Sequence, residues 1–525
     1  MVRLTGGEAL VRALRAHGTD LVFGIPGTHN LELYRHLPAY GVRQVTPRHE
    51  QGAGYAADGY ARVSGRPGVA VTTTGPALLN IAAAVGQAYS DSVPLLVVSP
   101  GMPLRHPRLA TGMLHEMRSQ TEALRGVAAF SHRVSSVEEV EAAVARAFTL
   151  FRGGRPRPVH LELPLDLLEE TGELGPAAVT APQLAARFPD VTAAAAALAA
   201  AYRPALVLGG GAREAADACR ELAERLGAPV VTTANGKGVV AEDHPLSLGV
   251  ALHTAVVQKW LADRDVVLAV GTELAESDFW CPPPRVGGTP VLVDVDPAQM
   301  YAGQPADHPL VGPARSVLEA LLAALPQRER SADDLSDLRE QRDVPTRDRD
   351  ARWVPYLAAV RSVLAPDAIV TSDSAMCCYY GALPHLPLAA EGRYLHPTGF
   401  GTLGYALPAA VGALAAAPGR QVLALSGDGG LQFTVQELAT AVQEGHPLPV
   451  VVFDNGGYGE IREEMAARGD RPLAVDLATP DLSALARAYG GHGVRVSTPA
   501  ALAEAVRTAL HTPGPTVITV PEERP

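Results

Sequence analysis

A glycine-framed carboxylate set between two apolar runs constrains this chain more than any other feature. The segment VLALSGDGGLQFTVQELATAVQEGHPLPVVVFDNGGYGEI reads as one strand-helix-strand unit. VLALS is an apolar run with strand character, and the glycines of GDGG let the backbone turn tightly and approach a ligand closely. TVQELATAVQEG has the spacing of an amphipathic helix that stops at Gly445. PVVVF predicts the next strand, with Asn455 at its carboxyl end. In a parallel sheet Asp428 and Asn455 then reach the same edge, where ligands of α/β proteins bind. One carboxylate, one amide oxygen and a nearby backbone carbonyl suit Mg²⁺, which keeps most of its positions for phosphate and water oxygens.

The rest of the chain repeats the alternation of strand and helix, which predicts an α/β protein of three doubly wound parallel-sheet domains. The first, residues 1–170, holds LVFGIP, VAVTTTGP, PLLVVS and PVHLELP. A looser stretch rich in Gly, Pro and Thr follows, about 171–190. The second, 190–325, holds ALVLGGG, PVVTTA, VVLAVG and PVLVDVD. Residues 326–350 are dense in both charges and read as an exposed linker, and 351–525 form the third domain. A net charge of −12 argues against nucleic-acid or anionic-membrane partners. The start, MVRLTGGEALVRAL, reads as polar and helical, without a signal-peptide core, and no apolar run is long enough to span a bilayer. The four cysteines lack metal spacing, and the adjacent Cys377 and Cys378 read as packing residues. A cytoplasmic, reduced protein is the expectation.

The GDG followed by Asn455 resembles the metal-diphosphate motif of thiamine-diphosphate enzymes, with Asp454 where the family carries a first Asn. A second stretch carries the same resemblance independently: GIPGTHNLELYRHL, then VTPRHEQGAGYAADGYARVSG, then VAVTTTGPALLN. The likeness to the acetolactate synthase, pyruvate decarboxylase and benzoylformate decarboxylase superfamily runs along nearly the whole chain. It implies pyrimidine-binding, central and diphosphate-binding domains, bound thiamine diphosphate and Mg²⁺, and a homodimer or homotetramer with active sites shared between subunits. By resemblance Asp428, Asn455 and the Gly457 carbonyl hold the metal. Gly427, Gly429 and Gly430 cradle the diphosphate through backbone N–H groups, with Ser374 a further phosphate contact. The Gly401 carbonyl accepts from the pyrimidine amino group, and Leu403 is the wedge that bends the cofactor. Glu50 is the catalytic carboxyl that, on the pyrimidine ring nitrogen, drives the proton relay activating the cofactor.

His29 and His115 fall where relatives place polar groups near the reacting centre, and a neutral imidazole there can relay protons. Glu460, with Glu464 one helical turn on, puts carboxylates where decarboxylases of this superfamily contact the substrate side chain, often through aliphatic residues; a carboxylate there suits a cation. GIPGTHNLELYR, LHEM and VGTELAESDFW look most like the 5-guanidino-2-oxopentanoate (2-ketoarginine) decarboxylases. That likeness implies a small-molecule 2-oxo acid converted to an aldehyde and CO₂. Three alternatives stay open: a carboligase of the acetolactate synthase kind, another 2-oxo acid decarboxylase or lyase of the superfamily, and a catalytically silent cofactor-binding subunit. The central domain looks like that of the synthases, which leaves FAD open, but GTELAESDFW lacks their FDDR-like segment and disfavours it.

Overall fold

The computed structural model describes residues 1–106, 110–176, 189–326, 334–478 and 480–522. Three six-stranded sheets, each wholly parallel, form the framework. Their strands are buried apolar runs, as parallel sheets covered by helices on both faces require. In the N-terminal sheet, Leu21–Gly24 lies between Arg43–Val45 and Gly68–Val71, followed outward by Leu95–Gly101, Val159–Pro164 and Phe130–Arg133. The C-terminal sheet repeats this connectivity. Ile369–Ser372 lies between Arg393–Leu395 and Val422–Gly427, followed by Leu448–Asp454, Pro515–Pro521 and His492–Arg495. The central sheet differs, its first three strands running outward in one direction and its last three in the other.

Two expectations change. The first residues are not helical throughout: Val2–Thr5 is a strand, paired antiparallel with Thr171–Leu174 in the stretch that reads as loose. Thr5 ends it and caps the helix Gly6–Ala16 by accepting from the Glu8 N–H. The helix after GDGG is also shorter than its periodicity suggests. A four-residue helical turn, Asp428–Leu431, comes first, and the amphipathic helix is Glu437–Glu444, ending at left-handed Gly445. Thr434 lies outside it because its hydroxyl donates to the Gly404 carbonyl.

The part of the charged stretch from 334 onward carries the helix Ser336–Asp343. Arg339 and Arg342 donate to the carbonyls of Ser247 and Leu248 and fasten this helix to the central domain. The beginning of that stretch, and much of 171–190, lie outside the described residues.

The first and third domains meet through the helices Glu50–Ser64 and Ala406–Ala416. Their backbones run close: a Cβ on Gly412 would sit 1.8 Å from the Ala56 carbonyl oxygen, and one on Gly59 2.2 Å from that of Ala409. Beside this contact Arg62 pairs with Asp58 and Asp91 at 2.7 Å, and also donates to Asn235 of the central domain. Tyr405 donates to Asp58 from the C-terminal side. Buried charges are tolerated only when paired in this way, and this cluster ties all three domains together.

Candidate functional site

The C-terminal ends of the parallel strands carry the candidate residues. Val422–Gly427 and Leu448–Asp454 are neighbours in register, Gly427 opposite Phe453, so the residues that follow them emerge side by side. Asp428 is 1% exposed, and its Oδ1 accepts from the Asn455 N–H at 3.3 Å. The Asn455 side-chain oxygen is buried and has no hydrogen-bond partner among the described residues. Buried amide oxygens are seldom left so, which marks the atom as one waiting for a ligand.

Gly457 has φ +144 and forms a bridge with Asp476, and a Cβ there would strike the Val475 carbonyl, so only glycine fits. Its own carbonyl oxygen would lie 3.4 Å from a Cβ on Gly429, which sets it against the GDGG turn. Asp428, Asn455 and Gly457 are thus brought together. Asp454 turns elsewhere: its carboxylate accepts from the Gly456 N–H and faces Arg495. Among the described residues no group of three or more His, Cys, Asp or Glu could hold a metal; the oxygen set here has a single carboxylate.

Gly401 is exposed with φ +64, and nothing lies within 4 Å of where its Cβ would be. Leu403 is half-buried, unlike the surrounding core leucines. This loop is anchored at both ends. Thr402 donates to Gln87 of the N-terminal domain, and the Gly404 N–H donates to Asp373. Asp373 also accepts from Ser426 and from the N–H of Ser374, and burial pushes its carboxyl up to about 6. One buried carboxyl therefore joins the Ser374 turn, the Gly401 loop and the strand entering GDGG.

The N-terminal domain presents its own cluster. His29 Nδ1 lies 2.5 Å from the Thr74 hydroxyl, which lies 3.1 Å from His115 Nδ1, and the two rings are 5.3 Å apart edge to face. Burial, and then the neighbouring His115, lower the His29 pKa, which favours the neutral form of His29. His115 has φ +62, a strained conformation for a side chain of this size. Gly75 makes room for it, since a Cβ there would meet the His115 carbonyl at 2.6 Å. The loop behind His115 is gathered by Glu116, which accepts from the N–H groups of Thr111, Gly112 and Met113.

Glu50 opens its helix and accepts from the Asn80 amide at 2.9 Å. The carboxylate of Glu437, from the C-terminal domain, accepts from the N–H groups of Arg48 and His49 just ahead of it. The hydrogen bonds of Glu50, His29 and His115 run to Asn80 and Thr74, within the N-terminal domain.

Glu460 is half-buried and accepts from the Tyr380 hydroxyl at 2.8 Å. Burial, then this carboxylate, raise the Tyr380 pKa, so the phenol stays a donor. Glu464 is not part of this cluster: it is solvent-exposed, while Glu463 pairs with Arg352. Ser374 lies in the wall of a cavity of about 330 Å³ between the central and C-terminal domains.

Sequence reasoning alone did not single out Thr74, Asn80, Asp373 or Tyr380. For Thr74 and Asn80 a signal was present in TTTGPALLN, where a glycine-proline helix start follows strand Gly68–Val71 just as GDGG follows Val422–Gly427.

Comparisons with known proteins identify the domains. Residues 4–123 match the thiamine pyrophosphate enzyme N-terminal TPP binding domain, 191–321 the central domain, and 375–520 the C-terminal TPP binding domain. A Pseudomonas aeruginosa protein named "Probable 2-ketoarginine decarboxylase" is 44% identical over 93% of this chain and 88% of its own length. The acetolactate synthase large subunit of Parasynechococcus marenigrum is 33% identical over 98% of this chain and 87% of its own. Isozyme 3 of the Escherichia coli large subunit is 31% identical over 97% and 93%. With its three domains in family order and its relatives matched along almost their whole length, the chain belongs to the thiamine pyrophosphate enzymes.

Proposed function

We propose that this protein removes CO₂ from 5-guanidino-2-oxopentanoate, giving 4-guanidinobutanal, with thiamine diphosphate and Mg²⁺. The observation that carries the cofactor half of this reading is the unpartnered Asn455 oxygen beside buried Asp428 and the Gly457 carbonyl. These oxygens fit a magnesium ion that shares its remaining positions with diphosphate and water. The glycines Gly427, Gly429 and Gly430 let backbone N–H groups face the diphosphate, and Gly401 and Leu403 border the space for the rings. Bound thiamine diphosphate supplies a carbon nucleophile and a sink for the electrons released with CO₂.

The residues of this chain do the positioning and proton handling. Glu50 holds a proton at the edge of the pyrimidine site, oriented by Asn80. His29 and His115, linked by Thr74, are imidazoles that can deliver a proton to the product carbon and bind the substrate carboxylate. Glu460, fixed by Tyr380, supplies negative charge for the guanidinium. The substrate itself is suggested by the name of the Pseudomonas relative.

The reading includes a homodimer or homotetramer whose active sites pair the N-terminal domain of one subunit with the C-terminal domain of another. Within one chain the Gly401 loop rests on Gln87 and Asp91, at the far end of the helix Pro76–Ser90 from Asn80. Seven residues of helix separate Asn80 from Gln87, about 10 Å, so a chain's own Glu50 is offset from its own Gly401. A cytoplasmic location is part of the proposal, supported by four unpaired cysteines. Among the described residues no helix is long and apolar enough to cross a membrane.

The test is CO₂ and aldehyde formation from the guanidinium acid and from pyruvate, with cofactor and Mg²⁺ present. Preference for the guanidinium acid with aldehyde released supports the reading. Preference for pyruvate with a two-substrate product supports the carboligase alternative, which the synthase relatives favour. Glu460→Gln should reduce turnover of the guanidinium acid far more than that of pyruvate; equal losses would remove Glu460 from specificity.

A further inference from the structure

The cavity of about 330 Å³ between the central and C-terminal domains is of ligand size. Its wall brings together Asp278, His253 and Trp280 from the central domain with Tyr379, Tyr380 and Ser374 from the C-terminal one. Asp278 is the single carboxylate among the described lining residues, and none of them is a lysine or arginine. His253 and His396, which also line it, are neutral near pH 7 because burial lowers both to about 4. Among the described lining residues Asp278 is therefore the one group that can present a formal charge.

Its aromatic wall is continuous. Trp280 stacks on His253 at 4.0 Å and meets Tyr380 edge to face at 5.3 Å, and Tyr379 and Tyr380 lie 4.6 Å apart. Two local departures from regular backbone build this wall. Residues Cys377–Ala382 form a π-helical turn, which carries both tyrosines. Trp280 has φ +54, a left-handed conformation that a bulky side chain adopts only where its surroundings hold it, and it remains 44% exposed. One of these rings already binds a guanidinium: Arg349, paired with Asp350, stacks on Tyr380 with its Cζ 3.8 Å from the ring centre. The tyrosine hydroxyl points to Glu460. At its other side the cavity reaches Ser374 and Thr398, the first on the turn after Ile369–Ser372, the second in the loop leading to Gly401. It thus opens onto the sheet edge where the cofactor is placed.

We infer that this cavity receives the cationic end of the substrate, with Asp278 as its counter-charge and Trp280 and Tyr379 as a cation–π wall. Burial pushes the Asp278 carboxyl up to about 7 against the backbone N–H groups of Ala234 and Ala275, and a bound guanidinium would favour its charged form. The assignment of this cation to the substrate rests on the decarboxylase reading above. It makes Asp278 a specificity residue in addition to Glu460, which reaches the same wall through Tyr380.

The test compares two acids of equal reach in the holoenzyme with thiamine diphosphate and Mg²⁺. Asp278→Asn is expected to lower kcat/KM for 5-guanidino-2-oxopentanoate by ~10- to 100-fold, through KM, as loss of a charge-assisted pair does. Turnover of uncharged 2-oxooctanoate, whose chain is as long, should not fall. Trp280→Leu should show a smaller loss in the same sense, ~3- to 10-fold. Equal losses on both acids, or no loss on either, overturn the proposal. A titration of butylguanidinium into the holoenzyme reads the cavity without turnover. Wild type should bind it, Asp278→Asn should not, and neutral butylurea should bind neither. Should wild type release no CO₂ from the guanidinium acid, the functional reading fails and this titration alone decides the cavity: binding lost in Asp278→Asn sustains it, and no binding by wild type overturns it.

Discussion

The first and third domains have the same sheet, strand for strand, and opposite chemistry at its edge. After the first strand of each comes His29 or Ser374, after the second Glu50 or the Gly401 loop, after the third Thr74 or Asp428, after the fourth His115 or Asn455. The N-terminal edge holds side chains that can carry protons, and they satisfy one another: His29, Thr74 and His115 form one chain, Glu50 and Asn80 another. The C-terminal edge holds glycines, backbone and a buried amide oxygen with no partner. Among the described residues the proton-carrying side chains of the first edge pair with one another, whereas the Asn455 oxygen of the second does not. On the proposed reading the first domain handles protons and the third holds the diphosphate and metal, both being matched as TPP binding domains.

Separating these two roles is the strongest way to break the comparison. Glu50→Gln should lower kcat by ~10²- to 10⁴-fold, the range for loss of a general acid-base group, while cofactor affinity measured by fluorescence quenching stays near wild type. Near-normal turnover would remove Glu50 from the mechanism. Asp428→Asn should do the converse, weakening Mg²⁺-dependent cofactor binding by ~10- to 100-fold. Asn455→Ala should act in the same direction without lowering the melting temperature of the cofactor-free protein, because the oxygen it removes has no partner there. A clear drop in that temperature would mean Asn455 serves the fold.

The contact between the two domains predicts a third effect. Gly412→Ala places a Cβ against the Ala56 carbonyl and should destabilise by about 3 kcal/mol, measured by denaturant unfolding. Acid sharpens the comparison further. His160 is fully buried between the hydroxyls of Ser99 and Ser131, and burial lowers it to about 3. The unfolded chain takes up that proton near pH 6.5 and the folded one does not, so stability falls as pH drops below 6.5. Between pH 6.5 and 5 this amounts to about 2 kcal/mol, and His160→Gln should lose less stability over that range than wild type. Asp373 in the third domain has the opposite sign: its raised carboxyl favours folding as pH falls through about 6. The smallest effect expected is that of Thr74→Val, which cuts the link between the two histidines and should lower kcat ~5- to 10-fold with cofactor affinity unchanged.

Much of the C-terminal edge was legible in the chain because its parts are consecutive. Strand, GDGG turn, helix, strand and Asn455 follow one another, so short-range periodicity placed Asp428 beside Asn455. The N-terminal partners were harder to read. Thr74 meets His29 and His115 across separations of 45 and 41 residues, which no local pattern encodes. Asp373 was hidden for the same reason, since its role is to join three loops at once. The late start of the helix at Glu437 came from a tertiary hydrogen bond, Thr434 to Gly404, that overrides a good local periodicity. No local pattern picks out Asp278, because its cavity partners lie about a hundred positions away in the chain.

The shared-site claim is tested most directly by mixing two inactive chains, Glu50→Gln and Asp428→Ala, by co-expression. If each site pairs the N-terminal edge of one subunit with the C-terminal edge of another, mixed assemblies contain a site with both edges intact, and about a quarter of wild-type activity should return by random pairing. If both edges of a site come from one chain, every site carries one lesion and the mixture stays as inactive as its parents, which would contradict the account.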